Sequence, residues 1–383
     1  MPSRPEGGHG RRRFPDADKR PDADKPPDPD TVEGHRLSAA RYRLLLTCSA
    51  VAVVVAFILA IVIGAVAVPA DRVLGIIAHN ILGEAVTPFW SPEENQIVWQ
   101  FRLPRAILAA VVGAGLALVG AVMQALVRNP LADPYLLGVS SGAALGAVIV
   151  LVLGTSAVGG LSLSVAAFAG SLLALVAVYG MAQRRGQVTP SRLILAGVAL
   201  AYLFQAAYSF VLQKADAPGA AQSVLFWLLG SLGGARWSNL GVPTAVVTAG
   251  LVVLLVQYRP LNALIAGEET AVALGINLAR LRFGLFLLTS LLVGVMVAAV
   301  GAIAFVGLIV PHVARLIVGS DHRRMLPLAA LIGATFLLLV DILARTADQP
   351  QELPLSIVTA AVGVPFFIWL LRRQDRSGRL TVT

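Results

Sequence analysis

Residues 106–127 read AILAAVVGAGLALVGAVMQALV, a stretch that carries one polar amide side chain, Gln124, and no charge. Spanning the hydrocarbon core of a bilayer takes roughly 20 apolar residues, because the backbone polar groups must be paired within a helix that rises about 1.5 Å per residue. Small residues recur every four positions from Ala109 to Ala121, the spacing that lets helix backbones approach closely in lipid. The stretch therefore predicts a membrane-spanning helix with close neighbours.

The whole chain shares this apolar character. Of its 383 residues, 57% are hydrophobic and 13% are charged, whereas charged residues make up about a quarter of a soluble domain. A net charge of +9 could indicate a nucleic-acid binder, but the basic residues lie in clusters between apolar runs. Membrane lipid is therefore the expected surrounding, and no nucleic-acid partner is expected. The single cysteine, Cys48, gives neither a disulfide framework nor a cysteine metal site, and no metal site is expected.

The same length criterion predicts about ten transmembrane helices in an all-α polytopic membrane protein. The charge-free stretch 136–182 is too long for one helix and is divided by glycines near Gly154, and the stretch 283–314 is divided around Gly301. The predicted spans lie near 44–68, 106–127, 136–153, 164–182, 192–213, 239–257, 283–299, 301–318, 325–344 and 355–371.

The distribution of arginines predicts the orientation of the chain. With ten helices, pairs such as Arg184-Arg185 and Arg323-Arg324 fall in cytoplasmic loops, which are typically rich in Arg and Lys, and both termini are then cytoplasmic. Residues 1–38 mix charged residues with Pro and Gly and predict a disordered cytoplasmic tail. The expected membrane domain is 39–373, followed by a cytoplasmic tail at 374–383. We expect a multi-pass membrane protein.

Three arginines lie at predicted outer ends of helices, where the topology rule does not favour them: Arg102, Arg105 and Arg345. One interpretation is a docking point for acidic residues of a soluble partner, because Arg pairs well with carboxylates. The alternatives are structural. The arginines could snorkel to the membrane interface, and Asp341, four residues before Arg345, could form an ion pair with it.

The segment after the 106–127 span contains features of a pathway or gate. Asn129-Pro130 and Asp133-Pro134 disfavour continuous helix there, and Gln124 precedes them. Irregular backbone at membrane depth is tolerated where it is buried in protein or lines a cavity. A gate is one interpretation of this segment, and a simple polar loop is the alternative.

Residues 259–275 predict two very short cytoplasmic helices, the first ended by Gly267 and the second begun by Glu268 and Glu269. They are too short to cross a membrane and too apolar to remain free in water. A contact with a groove on another protein is the favoured interpretation, and an interfacial helix lying on lipid is the alternative.

No G-x-x-x-x-G-K-[ST] phosphate-binding loop occurs in the chain, so no cofactor is expected here and the energy for any transport must come from elsewhere. The chain is therefore predicted not to be an enzyme. An ion-coupled secondary transporter would need several intramembrane carboxylates, and Asp341 is the one carboxylate within a predicted span. A membrane-embedded enzyme would need a clustered nucleophile, base or metal set, but His312 stands alone behind Pro311.

Several collinear motifs between residues 40 and 373 resemble the permeases of bacterial iron-siderophore, haem and vitamin B12 ABC importers of type II. They read RLPR at 102–105, GAVMQ at 120–124, NPLADP at 129–134, LGVSSG at 137–142, LAGV at 195–198, GAIAFVGLIVPH at 301–312, DHR at 321–323, ELP at 352–354 and GVPFF at 363–367. The resemblance implies a ten-helix fold like that of the vitamin B12 importer permease. It also implies a location in the bacterial cytoplasmic membrane. The implied partners are a second permease in a homodimer or heterodimer, two ATPase subunits that bind ATP and Mg, and a periplasmic or lipid-anchored substrate-binding protein.

The resemblance also implies site residues. Binding-protein docking is expected at Arg102, Arg105 and Arg345. ATPase coupling is expected at Leu261, Asn262, Leu264, Gly267, Glu268, Ala271, Leu274 and Gly275. The cytoplasmic gate is expected at Gln124, Asn129, Leu131, Pro190 and Ser191, although Pro190 departs from the small hydroxyl residue of one family member. The expected substrate is an iron(III)-siderophore complex, and haem or a corrinoid is the alternative.

Overall fold

The computed structural model describes residues 38–376 except 65, 86, 134, 136–137, 185–186 and 216–217. The predicted tail 1–38 lies outside the described residues apart from Ser38. Regular structure in the described chain is helical, apart from a hairpin in which Gln183–Arg184 pairs with Gln187–Val188. The all-α fold class is therefore confirmed.

The helices are numbered here in chain order. They are α1 (Ala39–Val62), α2 (Ala70–Leu82), α3 (Pro92–Val127), α4 (Val139–Leu153), α5 (Leu163–Ala182), α6 (Pro190–Gln213), α7 (Ala220–Leu228), α8 (Trp237–Val256), α9 (Tyr258–Ala266), α10 (Glu268–Ala273), α11 (Leu278–Val300), α12 (Val306–Val318), α13 (His322–Thr346) and α14 (Leu355–Arg376). Short 3₁₀ turns lie at Gly83–Ala85 and Thr155–Val158.

Seven of the described helices, α1, α3, α5, α6, α8, α11 and α13, are long and apolar enough to cross a membrane, and α4, α12 and α14 are shorter apolar helices. Each of the ten predicted spans falls on one of these ten helices. How many cross the bilayer, and the cytoplasmic placement of both termini, stay predictions.

Several boundaries differ from the prediction. Helix α3 begins at Pro92 rather than 106, because Ser91 and Glu94 form a reciprocal capping box and a π-helical turn at Gln96–Arg102 continues the helix inward. Helix α12 begins at Val306 rather than 301. Helix α14 continues past residue 373, the predicted end of the membrane domain, to Arg376.

Helix α3 lies at the centre of the bundle. In the most apolar stretch of α3, 78% of the residues are buried. The corresponding share for α1 is 17%, so most of the α1 surface is available to lipid. The row of small residues in α3 makes this position possible: a Cβ atom at Gly113 would collide with the Gly333 carbonyl of α13, and one at Gly120 with the Gly307 carbonyl of α12. The predicted close neighbours of α3 are therefore α13 and α12.

Candidate functional site

Arg102, in the π-helical turn of α3, is buried against the end of α1. Its Nη1 donates hydrogen bonds to the carbonyl oxygens of Ile61 (2.9 Å) and Val62 (2.8 Å), and its Nη2 donates to that of Val66. The last carbonyls of a helix have no partner within the helix and carry partial negative charge. A guanidinium group with several donors satisfies both needs, so Arg102 caps α1.

Arg345, in the last turn of α13, caps the same helix. It donates to the carbonyl oxygens of Ala60 (2.9 Å) and Ile63 (3.1 Å). Its Nε donates to the main-chain carbonyl of Asp341 at 3.3 Å and also lies 3.1 Å from Oδ2 of that residue, an ion-pair contact. Side chains of α3 and α13 thus jointly close the C-terminal end of α1.

Arg105 completes this outer arginine cluster, defined here as Arg102, Arg105 and Arg345. Its Nε lies 2.9 Å from Oδ1 of the fully buried Asp341, and its Nη1 lies 2.8 Å from Oε1 of Glu352. Asp341 is therefore held between two cations from two helices. Its ion pair with Arg345 is the one that the structural alternative predicts. Each guanidinium group of the cluster is engaged within the chain, and docking by these residues stays a prediction.

The segment between α3 and α4 is irregular, as its prolines predict. Arg128 ends α3 in the left-handed conformation (φ 54°), and Asn129 Oδ1 accepts a hydrogen bond from the backbone N–H of Leu131 at 2.9 Å. Asp133 Oδ1 accepts from the N–H of Tyr135 at 2.8 Å. Helix α4 begins at Val139 rather than 136, because these side chains satisfy backbone donors outside a helix.

A second irregular segment, residues 301–305, meets the first. The Tyr135 hydroxyl donates to the Ile303 carbonyl (2.8 Å) and accepts from the Ile303 N–H (2.7 Å). The Ser356 hydroxyl likewise donates to the Ala302 carbonyl (3.0 Å) and accepts from the Ala304 N–H (3.3 Å). Two hydroxyl groups thus pair backbone groups that a membrane interior would leave unsatisfied.

Tyr135 and Ser356 were not predicted as site residues. The sequence signals were weak: Gly301 marked a break in the helix, but nothing near it indicated which side chains would pair the freed backbone. Both partners are distant in sequence from the segment they support.

The predicted gate residues are only partly brought together. Gln124 is buried, donates to the Leu308 carbonyl (3.1 Å) and accepts from Arg315 Nη2 (2.8 Å), so it links α3 to α12. In the described part of the chain, no hydrogen bond joins Ser191 to Asn129 or Leu131. The backbone of Pro190 begins α6, and the Pro190 side chain is outside the part of the chain that the structure describes. The gate assignment stays a prediction.

The segment 259–275 forms two short helices, α9 and α10, joined at Gly267 with φ 126°. Its apolar side chains divide into two sets. Leu261, Leu264 and Ala271 are fully buried and anchor the helices on the bundle. The exposed apolar set consists of Ile265, Val272 and Leu274, with Gly275 beside it.

Two polar residues of this segment join it to membrane helices. Asn262 of α9 accepts a hydrogen bond from the backbone N–H of His322 (2.9 Å) and donates to Asp321 Oδ1 (2.8 Å), so it caps the start of α13. Glu268, the first residue of α10, places Oε1 3.1 Å from Arg128 and 2.5 Å from Arg282. Within the described ranges, no group of three His, Cys, Asp or Glu residues could hold a metal ion.

The model of the FecCD transport family matches residues 52–373. The chain belongs to this family. Proteins similar to it include the cobalamin import system permease protein BtuC of Halobacterium salinarum, 44% identical over 78% of this chain and 79% of that protein. The hemin transport system permease protein HmuU of Yersinia pestis is 42% identical over 80% of this chain and 93% of that protein.

A solved structure gives the same result for the fold. An inward-facing ABC transporter described as of metal-chelate type has a TM-score of 0.75 and 33% identity, and covers 86% of this chain and 99% of that one. The chain is an ABC importer permease of the FecCD family with the vitamin B12 permease-like fold. It is a multi-pass protein of the cytoplasmic membrane.

Proposed function

We propose that this FecCD permease forms the pathway for a bulky metal chelate and that separate ATPase subunits, which bind ATP and Mg, supply the energy. The observation that carries the substrate class is the set of similar permeases named for cobalamin and for hemin, both of which are metal chelates. The iron(III)-siderophore complex expected from the sequence belongs to the same class. Haem and a corrinoid have equal standing with it.

Transport assays with the assembled importer test this proposal. The chain would be reconstituted with its ATPase and binding protein, and ATP-dependent accumulation of a ferric siderophore, haem and cyanocobalamin would be measured in parallel. We expect accumulation of one of these compounds and none without ATP. Accumulation of none of the three would contradict the proposed substrate class.

The proposed partner surface for the ATPase is the exposed apolar set on α9 and α10, Ile265, Val272 and Leu274. Apolar side chains on a cytoplasmic projection need a cover, and the buried set keeps this projection fixed on the bundle. A second permease copy, identical or different, completes the proposed pathway.

The proposed docking surface for the binding protein is the outer rim around Arg105 and Glu352. The Arg105 side chain is 11% exposed and that of Glu352 is 38% exposed. A carboxylate of a docking protein could replace Glu352 on Arg105, whereas Arg102 and Arg345 would first have to release the carbonyls of α1. Docking at this rim therefore depends mainly on Arg105.

A further inference from the structure

The inner end of α3 has a conformation that its residue type does not favour. Arg128 has φ 54° and ψ 35°, and among the described non-glycine residues positive φ occurs at Arg128 and Phe305. The residue that follows a helix in this conformation is usually Gly, sometimes Asn, because an L side chain there is strained. An arginine at this position therefore needs a reason other than helix termination.

The Arg128 side chain provides a contact that glycine could not. Its Nη2 lies 3.1 Å from Oε1 of Glu268, and the same oxygen lies 2.5 Å from Nη2 of Arg282, a buried residue near the start of α11. One carboxylate of α10 thus pairs with arginines from two membrane helices. The Arg128 and Glu268 side chains are 47% and 38% exposed, and an ion pair that exposed adds little stability.

Strain without a compensating gain in stability is typical of residues retained for function. We infer that Arg128 and Glu268 form a transmission joint, through which displacement of α10 moves the inner end of α3 and the turn at 129–131. This inference rests on the proposed function, because a separate ATPase must move α10. The turn follows Arg128 directly. A hydrogen bond from the Leu131 N–H to Asn129 Oδ1 keeps its shape, so a displacement of Arg128 moves the turn as a unit.

A single-cysteine probe tests the joint without knowledge of the substrate. Cys48 is the one cysteine of the chain, and it is exposed, so a Cys48→Ser background can carry Leu131→Cys at a half-exposed position of the turn. The complex with its ATPase would be labelled with a water-soluble maleimide, with and without ATP. We expect the wild-type joint to change the labelling rate of the probe cysteine roughly fivefold or more.

Two variants break the joint in different ways. Arg128→Gly removes the ion pair, leaves Glu268 with Arg282, and suits the left-handed backbone, so thermal stability should be at least that of the parent. Glu268→Gln removes the charge that both arginines share. In both variants the two labelling rates should become equal, and ATP hydrolysis should continue in Arg128→Gly. Glu269→Gln and Arg280→Gln are the controls, because these exposed residues take part in none of the ion pairs among the described residues.

Each outcome decides the inference. Equal rates in the two joint variants, with parental rates in the controls, support it. An ATP-dependent change that persists in both Arg128→Gly and Glu268→Gln overturns the joint and leaves the proposed function intact. If Glu268→Gln unfolds because Arg282 loses its partner, Arg128→Gly alone decides. A parent complex that neither hydrolyses ATP nor changes its labelling overturns the proposed function, and the joint with it.

Discussion

At the scale of single residues, charged side chains in this permease satisfy backbone groups that the membrane cannot. Arg102 and Arg345 supply hydrogen bonds that the last turn of α1 cannot make within itself. Tyr135 and Ser356 do the same with neutral hydroxyls for the segment 301–305. In each pairing the side chain is distant in sequence from the backbone that it binds, so local backbone pairing also fixes the packing of distant elements.

Arg102→Gln should destabilise the protein by about 1–3 kcal/mol, because the carbonyls at the end of α1 would lose a charged donor in a buried place. Thermal unfolding in detergent measures this. Arg72→Gln is the matched control, since the Arg72 side chain is 41% exposed in its ion pair with Glu94 and its loss should change stability by about 0–1 kcal/mol. Equal unfolding temperatures for the two variants would contradict the capping role.

Tyr135→Phe should also destabilise the protein by about 1–3 kcal/mol, because both backbone groups of Ile303 would be left without their partner. Tyr202→Phe serves as the control, because the Tyr202 side chain is 70% exposed. If Tyr135→Phe unfolded like the parent, water or another group would have to pair Ile303.

At the scale of elements, the sequence predicted the existence of the ten apolar helices well and their ends less well. Length and hydropathy determine that a segment such as 164–182 forms a helix, and α5 (Leu163–Ala182) matches it closely. The start of α3 at Pro92 depends on a capping box and a π-helical turn, which hydropathy does not register. Arg345 lies in the last turn of α13 as predicted, but Arg102 and Arg105 lie inside α3 rather than at its start. The partners of Arg102 and Arg345 are backbone carbonyls at the end of α1, which leave no pattern in a sequence.

Gly113→Ala should separate α3 from α13 and destabilise the protein by about 1–3 kcal/mol, because the new methyl group would meet the backbone carbonyl of Gly333. Gly284→Ala in α11 is the control. A Cβ there meets nothing within 4 Å, so the greater helix propensity of Ala should leave stability unchanged or raise it. Chemical denaturation in mixed micelles compares the two, and similar midpoints would refute the close contact.

At the scale of the whole molecule, two polar contacts join the projection formed by α9 and α10 to the bundle, in addition to the buried side chains that anchor it. Asn262 joins α9 to the start of α13, and Glu268 joins α10 to α3 and α11. The predicted coupling residues therefore divide into anchors, junctions and an exposed surface. Sequence alone placed all of them in one segment, but burial was needed to tell them apart.

Val272→Asp combined with Leu274→Asp should prevent copurification with the ATPase while the chain still inserts and folds, because the change affects exposed side chains only. Phe89→Asp is the control, an exposed apolar position near the opposite end of α3. Pull-down of the ATPase from membranes measures the effect. An intact complex with the double variant would show that another surface holds the ATPase.

Helix α13 makes side-chain contacts at both of its ends. Asn262 accepts a hydrogen bond from its first residue, His322, and Arg345 in its last turn donates to carbonyls at the end of α1. A helix of 25 residues is roughly 38 Å long and nearly inextensible. An axial shift imposed on its first turn is therefore expected at its last turn as well. The proposed ATPase and binding-protein surfaces thereby lie near opposite ends of one stiff helix.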